Sequence, residues 1–389
     1  MGRFLRKLLA SNWGNGHSSQ LVYSIYLSGR LAHVQQLRSS RDDKLNRPLR
    51  SASLSPDTAP LIYQLLHAKQ GPLAVMICGP KGTGKSTLAR HLLNGALSRG
   101  SNHAENAMTM TKGVLLLDLD PGQPEFAPPG TLSLVHLRSY KFGPSFTHPA
   151  IDGNNGDTIL RMHHFGMLSP STDPGHYLEC ASDLIDHYRK NFSGPRMCPL
   201  VINCCGWVQG TGLELLVELI RYRFLTDIIY TITSGPREVV STLQAAAQLQ
   251  NIPLHVVCPK EPQVNPTPSG NTRTMQSLSY FHLDDADDGN LRWNAEPLSH
   301  RPPLIVHYAG PQQSMLGVMV LGEKLDPELF FSILEGCVVG LVVLEHDSDL
   351  SLLGDCDDSP EDGASDAYES VSPSHSLSQI VTASFTELS

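Results

Sequence analysis

The segment Gly79-Pro80-Lys81-Gly82-Thr83-Gly84-Lys85-Ser86-Thr87 sets glycines, a lysine and a hydroxyl residue at the spacing GxxxxGK[ST]. Glycines let a backbone wrap closely around phosphates, partly at positive φ, and N–H groups at a helix start face the anion. In that arrangement Lys85 meets the β- and γ-phosphate oxygens of a nucleotide, the Ser86 hydroxyl ligates Mg2+, and Thr87 reaches the α-phosphate side. The competing reading is a chance Gly-rich turn. The apolar run before it and the helical pattern after it favour phosphate binding.

A second group is Asp118 and Asp120, in Leu117-Asp118-Leu119-Asp120-Pro121-Gly122-Gln123. Two carboxylates two apart at a strand end point the same way, so both can face a nucleotide. One can hold the Mg2+ hydration shell while the other orients or deprotonates an incoming nucleophile. Asp-Pro-Gly also suits a turn or cap.

The elements that must position these groups follow from hydrophobic periodicity. Leu73 to Cys78 is a continuous apolar run and reads as a buried parallel strand. Leu88, Ala89, Leu92, Leu93 and Ala96 recur at helical spacing from Lys85, with Gly100 closing the segment. Val114 to Leu117 is a second strand, which completes a βαβ unit. A helix is expected at Pro60 to His67. Another starts at Thr172-Asp173-Pro174 and buries Tyr177, Cys180, Ala181, Leu184, Ile185 and Tyr188 on one face. Strands at Pro199–Asn203, Asp227–Thr233 and Leu254–Val257 alternate with helices at Leu213–Arg223 and Val239–Leu249. This pattern predicts an α/β fold of P-loop NTPase type, a doubly wound, mostly parallel sheet covered on both faces. Pro259 to Arg292 is polar and Pro-rich with an acidic run at Asp284 to Asp288, and is expected to be loop and lid. Residues 301–346 return to short apolar strands at Leu304–Tyr308, Leu316–Leu321 and Val338–Leu344, a small β-rich appendage.

A chain of 389 residues, 40% hydrophobic, can bury one large core, which excludes a small disulfide-stapled scaffold and a fully disordered chain. The net charge of -9 is unevenly spread: residues 1–50 hold nine Lys or Arg against Asp42 and Asp43, and the chain from Glu345 onward has eleven acids and no Lys or Arg. The middle is mildly acidic, so nucleic acid could be held only in a local basic groove. Past Asp347 the Ser/Asp/Pro-rich tail is expected to be disordered. Eight cysteines without a CxxC pair suit a reducing compartment with free, buried thiols. No apolar stretch reaches the about 18–20 residues that cross a bilayer, so no membrane is expected. The start MGRFLRKLLASNW interleaves Arg3, Arg6 and Lys7 with Phe4, Leu5, Leu8 and Leu9; it reads as a basic disordered arm, with a mitochondrial presequence as the alternative. A short strand is expected within that arm at Gln20–Tyr26.

A phosphate loop alone leaves switch, motor and kinase open. Lys81 stands four residues before Lys85, one short of the spacing in deviant-loop ATPases, and no NKxD segment follows a strand, which disfavours a GTPase switch. The series GPKGTGKST, DLDPGQPEFAPPGTLSLVHL, FGPSFTHP at 142–149, SPSTDPGHYLECASDLIDHYR at 169–189, INCCGWVQGTGLELL at 202–216 and RTMQSLSYFH at 273–282 resembles the P-loop polynucleotide 5′-hydroxyl kinases, and within them the fungal pre-rRNA-processing branch. The resemblance covers roughly residues 40–345. It implies transfer of the ATP γ-phosphate to the 5′-hydroxyl of cleaved RNA, with Mg2+, in the nucleus and nucleolus, beside the endoribonuclease that cuts the internal spacer. Carried onto this chain, the phosphate-loop roles fall on Gly79 to Thr87, and the acids and glutamine of DxDxGQ on Asp118, Asp120 and Gln123, with Asp120 nearest the 5′-hydroxyl. Arg273 matches a lid arginine that stabilises charge on the transferring group. Where a second lid arginine is expected stands Gln276. Gly206 and Trp207 match the RNA clasp Asn-Thr-x-Gly-Trp, whose Thr is Cys204 here, and Trp207 would stack an unpaired base. The implied layout is residues 1–50 as the basic arm or remnant of an N-terminal β domain, 51–258 as kinase domain, 259–300 as lid and polar loop, 301–346 as β appendage and 347–389 as acidic tail. Two other functions remain open: a nucleotide-binding scaffold that stabilises the nuclease with little turnover, and a generic P-loop ATPase or GTPase.

Overall fold

The structure, a computed structural model, describes residues 22–28 and 31–37, most of 55–301, and 317–320, 329, 332, 337–343 and 379–383. The chain divides into two compact units, Met1–Leu54 and Ser55–Ser389. In the first, β1 (Val22–Ser28) pairs antiparallel with β2 (Leu31–Leu37). The strand expected near Gln20–Tyr26 is therefore one arm of a hairpin.

The second unit opens with α1 (Thr58–His67), β3 (Ala74–Cys78), α2 (Lys85–Asn102) and β4 (Val114–Leu119). Every residue of β3 and β4 is buried, as their unbroken apolar runs require of strands covered on both faces. Then come β5 (Thr131–Leu137) and β6 (Thr158–His164), neither of which the periodicity singles out. They are followed by α3 (Pro174–Phe192), β7 (Leu200–Cys204), α4 (Thr211–Arg221), β8 (Asp227–Thr231), α5 (Arg237–Leu249) and β9 (Leu254–Val257). The start of α3 is capped as its sequence suggests: the Asp173 carboxylate accepts the His176 N–H at 2.9 Å.

The sheet runs β6-β5-β4-β7-β3-β8-β9. Strands β4, β7, β3, β8 and β9 are parallel, while β5 and β6 extend one edge antiparallel. On one face Met76, Leu117 and Ile202 pack with Tyr177, Leu184, Leu219 and Leu243 from α3, α4 and α5 in a single apolar cluster. Each fully buried side chain of this kind contributes about 1.5–3 kcal/mol. α2 packs against β7 and β4, with α1 against α2. Because β7 lies between β3 and β4, the βαβ unit skips a strand, and the turns after β3, β7 and β4 share one carboxyl edge with the β7 turn in the middle.

The segment expected to be loop and lid contains a helix, α6 (Ser269–Phe281), followed by the short hairpin β10 (Leu283–Asp285) and β11 (Leu291–Trp293). Further on, β12 (Gly317–Val320) and β13 (Val339–Val343) flank β14 (Gln379–Ala383), a strand within the acidic tail. The strand expected at Leu304–Tyr308 lies outside the described residues. Among the described residues no helix is long and apolar enough to cross a membrane, and the seven described cysteines carry free thiols.

Candidate active site

The turn after β3 is shaped by what lies beneath it. Gly79 has φ 144°, and a Cβ there would sit 2.2 Å from the Thr231 carbonyl oxygen at the end of β8, so only glycine lets the turn leave the sheet at this angle. The buried Thr83 hydroxyl donates to the Pro80 carbonyl at 2.8 Å and lies 2.6 Å from the Thr231 hydroxyl, which pins the turn from below. Lys85 is buried, and its Nζ donates to the Pro80 carbonyl at 2.9 Å. Burial lowers the Lys85 pKa, with Asp120 pulling the other way. Gly82, Gly84 and Thr87 are exposed and Ser86 is half-exposed, and the first turn of α2 holds no acid to offset its N-terminal field. The cradle, the lysine and the open helix start fit a triphosphate.

The two aspartates differ. Asp118, only 1% exposed, has both oxygens engaged: Oδ1 accepts the Asn203 amide at 3.0 Å and Oδ2 the Glu125 N–H at 2.7 Å. Burial, then the neighbouring Asp120, push its carboxyl up to about 7. Asp120 is half-buried; its Oδ1 accepts the Gly122 N–H at 3.1 Å, and it interacts with Lys85 and Lys81 across the edge. Burial raises its pKa, and Lys85 opposes that shift. Gln123 closes the turn, its N–H donating to the Asp120 carbonyl, with its side chain half-exposed. Asn203 Oδ1 is buried with no hydrogen-bond partner among the described residues. No cluster of three His, Cys, Asp or Glu side chains forms a metal cage among the described residues. A cation here would therefore be held largely by nucleotide oxygens and water, to which the hard oxygens of Ser86, Asp118 and the unpartnered Asn203 are suited.

The β7 turn presses on the phosphate loop. A Cβ on Gly206 would come within 2.9 Å of the Lys81 backbone nitrogen. Trp207 is half-buried against the core, and its indole lies over Gly212 at the start of α4, where a Cβ would be 2.7 Å from the ring. Cys204, at the clasp position expected to carry a hydroxyl, is completely buried within the core. Arg273 is half-exposed on α6 and has no hydrogen-bonded or ionic partner among the described residues. One turn later Gln276, 2% exposed, donates its amide to the Ala127 carbonyl at 3.1 Å. An arginine at 276 would be driven into that packed contact.

Sequence reasoning missed the residues that support the acids. Glu125 is held by Arg90 and His148, and Asn203 by Asp118, partners far apart in the chain. The one available signal was the polar series Ser86, Arg90, Asn94 and Ser98 on α2, spaced four apart and so on one side of the helix.

Fold and turn together define a P-loop protein. The family model described as mRNA cleavage and polyadenylation factor CLP1 P-loop matches residues 79–283, and the chain belongs to that family. It is 44% identical over 310 residues to the polynucleotide 5′-hydroxyl-kinase grc3 of Aspergillus terreus, covering 79% of this chain and 38% of that protein. To the grc3 protein of the same name from Aspergillus fumigatus it is 42% identical over 366 residues, covering 93% and 43%. The chain thus spans about two fifths of the length of these relatives. Among solved structures it is similar to the wild-type Clp1p–Pcf11p complex, with a TM-score of 0.41, 16% identity, and coverage of 64% of this chain and 56% of the other.

Proposed function

We propose that this chain transfers the γ-phosphate of ATP to the 5′-hydroxyl end of a polynucleotide, RNA in the first instance. The observation that carries the reading is the placing of buried Lys85, after β3, and half-buried Asp120, after β4, at one carboxyl edge of the sheet, where each charge acts on the other: a cation suited to phosphate oxygens and a carboxylate suited to an acceptor hydroxyl. The relatives' names point the same way.

In this reading the triphosphate lies in the backbone cradle from Gly79 to Thr87, and Lys85 exchanges the neutral Pro80 carbonyl for charged phosphate oxygens, a stronger partner. The acceptor hydroxyl donates a hydrogen bond to Asp120. Its oxygen forms a bond to the γ-phosphorus as the bond to the bridging oxygen of ADP breaks, and its proton passes to the Asp120 carboxylate. Mg2+, held with the nucleotide near Ser86 and Asp118, supplies charge neutralisation on the phosphate oxygens. Arg273 adds a positive charge from α6, while Gly206, Trp207 and Gln123 hold the substrate end. Catalysis is then positioning and electrostatics, with no covalent enzyme intermediate.

By the same motif resemblance, we infer that the substrate is the 5′-hydroxyl end left in pre-rRNA by a spacer endoribonuclease acting alongside this chain in the nucleolus. A nucleotide-gated scaffold is the second reading, favoured by the buried side chains of Cys204 and Gln276, neither of which offers a donor to substrate. The deciding experiment offers labelled γ-phosphate ATP with 5′-hydroxyl RNA and DNA oligonucleotides, and 5′-phosphorylated versions as controls. Transfer to the hydroxyl ends alone supports the kinase. ATP binding without transfer supports the scaffold, and hydrolysis indifferent to RNA a generic NTPase.

A further inference from the structure

Glu125 and the segment FGPSFTHP have no role in the chemistry above, yet the structure joins them. The Glu125 carboxylate, 5% exposed, receives Arg90 through Nε at 2.6 Å and Nη2 at 3.0 Å, and His148 through Nε2 at 2.7 Å. Burial by itself would raise its pKa; the His148 and Arg90 contacts outweigh it and keep the group anionic. The backbone N–H of this same residue is the donor to Asp118 Oδ2.

The geometry of α2 gives the hub its meaning. Arg90 follows Ser86 by four residues, so the residue whose hydroxyl would hold Mg2+ and the one whose guanidinium holds Glu125 share one side of the helix. Asn94, four further on, fastens the neighbouring strand exit by accepting the Lys141 N–H at 2.9 Å and donating to its carbonyl at 2.8 Å. Lys141 in turn reaches Asp157 at 2.6 Å and lies over the Phe126 ring.

We propose that Glu125, clamped by Arg90 and His148, is a positioning residue that sets the spacing between Ser86 and Asp118 and thereby the affinity for the metal–nucleotide complex. The proposal rests on the placing of Mg2+ near Ser86 and Asp118 in the reading above. The bidentate contact fixes direction as well as distance, which a lone charge would not. Because its side chain faces α2 and only its amide faces Asp118, Glu125 touches neither substrate nor metal.

The test uses the full chain and a fluorescent ATP analogue, titrated with and without Mg2+. Glu125→Gln is expected to weaken apparent Mg2+ affinity by roughly tenfold or more, the usual cost of removing an outer-shell partner, while analogue binding in chelator changes less than about twofold. In the ligand-free protein the same variant should exchange amide hydrogens faster across residues 118–126. Paired with Ser86→Ala, its effect on Mg2+ should be non-additive. Equal weakening with and without Mg2+, unchanged Mg2+ affinity, or additivity with Ser86→Ala would each overturn the proposal. Should Glu125→Gln fail to fold, His148→Gln removes one of the two clamps and must give a smaller loss in the same direction. None of these readouts needs phosphoryl transfer. A chain that passes them but labels no RNA refutes the kinase and leaves the hub standing.

Discussion

The two sides of the candidate site are walls made of different material. The phosphate-loop wall is mostly backbone: a turn kept open by glycines, floored by Thr83 and Thr231 and crossed by one lysine. The acid wall leans on side chains: Asp118 is held by the Asn203 amide and by the N–H of Glu125, whose carboxylate is in turn clamped by Arg90 and His148 from two other parts of the chain. A wall of backbone is damaged by added atoms. A wall of side chains is damaged by removed charges.

The largest effect should come from the one side chain the backbone wall does need. Lys85→Ala is expected to lower labelling of 5′-hydroxyl RNA by about a thousandfold, the scale of losing a preorganised transition-state donor. Retained labelling would end the kinase assignment. On the other side of the site, Asp120→Asn should cost about a hundredfold in kcat, the lower range for general acid–base groups, with ATP affinity intact because the cradle is untouched. If ATP affinity fell in step, the walls would not be separable. Gly79→Ala sharpens the contrast from the other side. Its methyl would overlap the Thr231 carbonyl, so thermal unfolding should show about 1–3 kcal/mol of lost stability, whereas Thr87→Ala on the exposed rim should show almost none.

The last effect is one of pH. With its carboxyl pushed up to about 7, against 3.8 ordinarily, Asp118 keeps a proton in the folded chain where the unfolded chain has released it. The folded state binds more protons through that window, so this group's contribution to stability is complete below it and declines as pH rises through it. Asp118→Asn cannot titrate. The melting temperature of the variant relative to the parent should therefore climb between about pH 4 and 7, and a flat difference would show that Asp118 is not perturbed.

The same contrast explains what the sequence disclosed. The phosphate loop is local, nine residues between an apolar run and a helical pattern, and its strand and helix stand where the spacing put them. The acid wall depends on pairs 35 and 85 residues apart, which no window along the chain can register. β5 escaped because Ser133 and His136 are buried within it and blur its apolar run, and β6 because its positions are half-exposed and mixed. α6 escaped for a cleaner reason: the buried position of this helix is Gln276, while Met275, Leu278 and Phe281 face outward, so no apolar stripe marks its inner side. Gln276, odd as a missing arginine, makes sense as the residue that seats the helix.

The close packing of Gly206 on Lys81 bears on kinetics. Since the Lys81 stem and backbone both lie directly against Gly206, the turn that would grip a polynucleotide cannot shift unless the turn that would grip the triphosphate gives way too. Occupying one should therefore alter the on-rate of the other, and initial-velocity patterns would then reveal a preferred sequence of loading instead of two independent Michaelis curves.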